Sequence, residues 1–194
     1  MFAENIKGEE INLLVCRSFD GEIIIVDTLE KLDAAVKYLQ NQLYLGFDAE
    51  ARPRFTKGSK RRISLLQFAT GAKAFLIRID IIGFNKQIID IFENKEILKI
   101  GSGIVDDMHA LGKMKRFIPA GFVDLQDYTK AFGIKDNSLR KITAIVLGFR
   151  ISKSQRLSNW SKNEYTNAQK RYAATDAWVC YEIYKRLNKG NTTD

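Results

Sequence analysis

The sequence predicts an α/β fold, a mixed sheet flanked by helices within a single domain. Apolar runs of strand length crowd the first half, amphipathic stretches of helical period dominate the second, and the two interleave in the middle. The chain has 194 residues, 45% of them apolar and only two of them proline, which suffices for one sizeable core. No repeat, low-complexity tract or Pro/Gly/Ser-rich linker divides it. Residues 1–20 are expected to form an N-terminal extension to a domain covering 21–190.

Taken in order, GEIIIVDT predicts a strand, after which Thr28 can cap a helix over Leu29 to Leu39. The run Leu43 to Phe47 predicts a second strand, followed by two more, ISLLQFAT and AFLIRI, joined by a turn at Gly71-Ala72-Lys73. A helix is expected from about Phe84 to Phe92, a strand at EILKIG and a helix from Asp106 to Lys115. Helical spacing then recurs over Asp124 to Phe132, Ser138 to Leu147 and Thr166 to Leu187, the longest element, before a frayed tail.

Lys and Arg total 31 against 23 acids, a formal charge of +8 and a pI near 9.4. That balance favours a polyanionic partner, nucleic acid before others. Cys16 and Cys180 share no CxxC spacing, so both are expected to be buried thiols rather than a disulfide or a zinc site. The N-terminus lacks a cationic segment leading into a long apolar one, and no stretch reaches the length of a membrane span. A cytoplasmic location, with no membrane partner, is the expectation.

Chemistry is concentrated in four acids from three separated segments. Asp48 and Glu50, at i and i+2 on the second strand, project from one face. Asp107 lies in GIVDD, with Asp106 expected as a solvated cap, and Tyr172 and Asp176 share a face of the last helix at i and i+4. Clustered carboxylates repel, and burial raises their pKa unless hard cations such as Mg²⁺ or Mn²⁺ compensate. His109, two residues after Asp107, points away from that aspartate's face and is expected in a surface or core role.

The motifs FDAE, GIVDD and YAATDA, the last preceded by SNW, resemble the DEDD superfamily of 3'-5' exonucleases in its tyrosine-containing branch, where ribonuclease D and the Werner-syndrome exonuclease domain belong. The resemblance runs from about Gly21 to Leu187 and implies a ribonuclease H-like fold. It also implies two divalent cations, Mg²⁺ or Mn²⁺, and no small-molecule cofactor. Asp48 would bridge the two ions, Glu50 and Asp176 complete the one that activates water, and Asp107 supports the leaving-group ion, partly through water. Tyr172 would aim the water. The superfamily's histidine branch carries its base where this chain has Arg171, so the tyrosine branch fits. The implied activity is removal of nucleoside monophosphates from a single-stranded or frayed 3' end, DNA favoured over RNA. The alternative is a catalytically weak nucleic-acid-binding module of the same fold. Ala49 and Ala51 stand where relatives often carry larger residues, which leaves affinity and substrate choice open.

A basic segment follows the second strand: Arg52, Arg54, Lys57, Lys60, Arg61 and Arg62. Such a loop suits phosphate contact, and an idle solvated loop has the same composition. Gln67, Asn159 and Trp160 are further candidates, Trp160 either stacking on a base or plugging a helix interface. Phe47 is expected in the core.

Overall fold

The structure, a computed structural model, describes residues 2–52 and 62–189. Arg54, Lys57, Lys60, Arg61 and the tail 190–194 lie outside the described residues. Six strands form one mixed sheet: β1 (Glu22–Val26), β2 (Tyr44–Ala51), β3 (Ile63–Ala69), β4 (Lys73–Ile77), β5 (Leu98–Gly101) and β6 (Phe122–Asp124), in the order β1-β4-β3-β2-β5-β6. β3 runs antiparallel to both of its neighbours, while β1 pairs β4, β2 pairs β5 and β5 pairs β6 in parallel. The predicted hairpin therefore holds, its turn closed by Thr70, whose N–H donates to the Lys73 carbonyl at 2.9 Å.

The helices are α1 (Gly8–Leu13), α2 (Leu29–Leu39), α3 (Ile79–Ile82), α4 (Lys86–Glu93), α5 (Val105–Met114), α6 (Leu125–Tyr128), α7 (Leu139–Leu147) and α8 (Asn167–Asn188). Thr28 caps α2 as expected, accepting from the Lys31 N–H at 3.2 Å. Thr166 and Gln169 close a capping box at the start of α8. The sequence reading missed α1, α3 and β6: the helix expected from Asp124 begins instead with the end of a three-residue edge strand.

The two faces of β2 explain the layering. Leu45, Phe47 and Ala49 face one way, into a core shared with α2 and α4, where Phe47 packs against Phe68, Phe92 and Phe122. Gly46, Asp48 and Glu50 face the other way, toward α8. A side chain at Gly46 would collide with α8, since a Cβ there would lie 1.9 Å from the Ala177 carbonyl oxygen. Backbone therefore meets backbone between the central strand and the longest helix. The other face is filled by Leu65, Trp160, Ala173, Ala174 and Ala177, and the small side chains of the three alanines on α8 permit this close approach.

The first twenty residues are tied to the rest of the chain. The Ile6 N–H donates to Asp136 at 2.8 Å, the Glu4 carbonyl accepts from Lys135, and Cys16 bridges Arg150. Phe19 is fully buried, its N–H donating to Thr175 on α8. Cys180 is a buried thiol, but Cys16 is exposed, a correction that follows from its place in a segment running over the surface. No described helix is long and apolar enough to cross a membrane.

Candidate active site

Asp48 and Glu50 occupy the last turns of the pleat in β2, beside a register irregularity between Glu50 and Ala51. Bulges of this kind re-aim strand ends next to functional sites. Across them lies Asp176, in the middle of α8. One carboxylate oxygen from each of the three acids lies within 4.8 Å of the others. Asp107, on α5, stands outside that triad, and it is buried whereas Asp106 is exposed on the helix surface. The buried member of the pair is thus the one the motif comparison selected. The expected capping role of Asp106 is corrected: the α5 N-terminus is held by Asp124, whose carboxylate accepts from the Gly103 and Ile104 N–H groups at 2.9 and 3.0 Å.

Tyr172 sits one turn before Asp176 and lines the same cavity. Burial pushes Asp176 up to about 7, with the nearby phenol pulling in the opposite direction. Burial, together with the neighbouring Asp176, Glu50 and Asp48, raises the Tyr172 phenol far above its ordinary value. The hard oxygen donors that Asp48, Glu50 and Asp176 bring together are the set a divalent cation requires. The residues present fit a bound Mg²⁺ or Mn²⁺.

The loop before α8 backs Tyr172. Trp160 lies 6.2 Å from the Tyr172 ring and 5.5 Å from Tyr165, whose hydroxyl donates to the Trp160 carbonyl at 2.8 Å. Arg78 stacks on Tyr165, donates to the Asn163 carbonyl at 2.9 Å and is ion-paired with Asp80 at 2.8 Å. Base stacking by Trp160 is corrected on these grounds: at 1% exposure it offers no face to a nucleotide and serves as the support for Tyr172. Gln67 is corrected likewise. It pairs across the sheet with Asp48, on the same face, and is fully buried, so it offers no surface to a substrate. Asn159 is exposed, its side-chain oxygen accepting from the Ser161 N–H, and Arg52 reaches the Ser161 hydroxyl at 3.4 Å. Arg62 is exposed where the chain enters β3. His109 is exposed on α5, away from the triad.

A sequence model of the family described as 3'-5' exonuclease matches residues 23–190. The chain belongs to the 3'-5' exonuclease family. Within it, the mouse bifunctional 3'-5' exonuclease/ATP-dependent helicase WRN is 35% identical over 155 residues, which cover 76% of this chain and 11% of WRN. Ribonuclease D of Bartonella henselae is 24% identical over 189 residues, covering 94% of this chain and 45% of that enzyme. The chain thus spans less than half of either relative. Among solved structures, the Aedes aegypti Nibbler EXO domain superposes with a TM-score of 0.79 at 22% identity, covering 91% of this chain and 93% of that one. The chain therefore shares the ribonuclease D-like fold of its family, and the DEDD assignment stands.

Proposed function

We propose that the chain is a metal-dependent 3'-5' exonuclease that releases nucleoside monophosphates from a single-stranded or frayed 3' end. The observation that carries this reading is the convergence of Asp48, Glu50 and Asp176 within 4.8 Å, with Tyr172 one turn from the last of them and lining the same cavity. Asp48, Glu50 and Asp176 would hold divalent cations, with Asp107 assisting from α5. When bound, two such ions supply a nucleophilic water at neutral pH and neutralise charge on the phosphoryl group and the leaving oxygen.

The remaining work falls to the side chains. In the metal-free site burial and the neighbouring acids oppose the phenolate, and we assign Tyr172 to aiming the attacking water by hydrogen bonding rather than to removing its proton. Trp160 fixes the ring that does the aiming. Arg52 and Arg62, flanking the loop after β2, are placed to meet backbone phosphates. The preference for DNA rests on the relatives, WRN at 35% identity against ribonuclease D at 24%.

The test is a time course on 5'-labelled DNA with a 3' overhang and on matched RNA, with Mg²⁺ or Mn²⁺, alongside EDTA and Asp48→Ala controls. A metal-dependent ladder shortening from the 3' end is expected, faster on DNA. Binding without products would instead favour a non-catalytic nucleic-acid-binding module, and unchanged cleavage by Asp48→Ala would refute the site.

A further inference from the structure

Tyr172 and Asp176 also line a cavity of about 270 Å³ whose other wall carries Arg140, Lys153 and Arg156. Among the described residues none of these three cations is ion-paired. Arg140, in the first turn of α7, is held in a specific way. Its Nη2 donates to the side-chain oxygen of Asn12 at 2.6 Å, while its Nε is buried and meets no acceptor among the described residues. A buried donor without an acceptor is costly, and an anionic oxygen arriving in the cavity would supply one.

Asn12 belongs to α1, which precedes the matched range 23–190. That helix is anchored beside α7: the Ile6 N–H donates to Asp136, which is ion-paired with Lys141 of α7 at 2.6 Å. A segment outside the family's matched range therefore sets the angle of a guanidinium inside the reaction cavity.

We propose that Arg140 clamps a backbone phosphodiester of the substrate strand and that Asn12 is the positioning residue that aims it. The polarity of the cavity supports this: the Asp176 carboxylate suits a cation, and the planar fork of donors on Arg140 suits phosphate oxygens. Lys153 and Arg156 add charge without that fixed geometry. The inference rests on the nuclease reading for its substrate, but binding can be measured without cleavage.

The experiment is fluorescence anisotropy of a labelled single-stranded DNA in EDTA, titrated at several salt concentrations against wild type, Arg140→Ala, Arg140→Lys, Asn12→Ala and the Asn12→Ala/Arg140→Ala double variant, each checked by circular dichroism. Arg140→Ala should weaken binding about tenfold and flatten the salt slope by about one ion. Arg140→Lys should restore the slope but not the affinity. Asn12→Ala should weaken binding less and add nothing in the double variant; in a separate steady-state cleavage assay with Mg²⁺ it should raise KM more than it lowers kcat. Wild-type binding by Arg140→Ala overturns the clamp, and fully additive losses overturn the role of Asn12. A chain that binds through Arg140 yet yields no 3' ladder sinks the nuclease reading and leaves the clamp standing.

Discussion

Tyr172 and Asp176 lie one turn apart on α8 and line the same cavity. The phenol favours the ionised acid, while burial favours the neutral one, and burial dominates.

A pH dependence follows. In the metal-free protein Asp176 is raised from 3.8 to about 7, so the fold prefers its protonated form. Its contribution to stability is complete below pH 4 and is lost as pH rises toward 7, by about 4 kcal/mol at most. Melts in EDTA should show wild type losing stability over that interval relative to Asp176→Asn. Added Mg²⁺ should raise the wild-type Tm at pH 7.5 and not that of the variant. Parallel pH profiles for the two proteins would contradict the burial of the acid.

Tyr172→Phe removes the hydroxyl and keeps the ring against Trp160. Its kcat should fall about 100-fold while metal binding, read by calorimetry, persists. Full loss of metal affinity would mean that the hydroxyl organises the acids rather than the water.

Gly46→Ala places a methyl group into the Ala177 carbonyl. Overpacking of this kind costs about 1–3 kcal/mol or more. Because the strain parts β2 from α8, cleavage should fall further than the loss of folded protein accounts for. Urea titration and specific activity per folded molecule separate the two effects.

Arg78→Ala leaves Asp80 without its partner and the Asn163 carbonyl without its donor. Removing one member of a buried pair costs about 3–5 kcal/mol, here nearer the lower figure because Asp80 is partly exposed. The measurable outcome is a lowered urea midpoint with the m-value unchanged.

Features written in local periodicity were legible in the sequence. The i, i+2 acids of β2 and the i, i+4 pair of α8 needed only the geometry of strand and helix, and Thr28, Ser138 and Thr166 mark helix starts that the structure reproduces. What failed depended on tertiary placement. Trp160 and Gln67 are polar-capable residues near motif acids, and nothing local says that α8 lies so close to β2 that both are sealed beneath it. β6, with three residues, is too short to show alternation, and its Asp124 caps a helix that begins some twenty residues earlier. The grip of Asn12 on Arg140 spans 128 positions and has no periodic signature.

Asp48 and Glu50 sit on β2, which pairs with β3 from Gly46 to Ala51, while β5 pairs with Tyr44, Leu45 and Gly46 alone. The strand is thus held on both sides at Gly46 and on one side at its acid-bearing end, so amide protons near Gly46 should exchange only when the whole domain opens, a restriction that those near Glu50 do not share. Cation binding would then slow that exchange by the same factor by which it stabilises the entire protein, making the slowest amides of β2 a direct gauge of metal affinity.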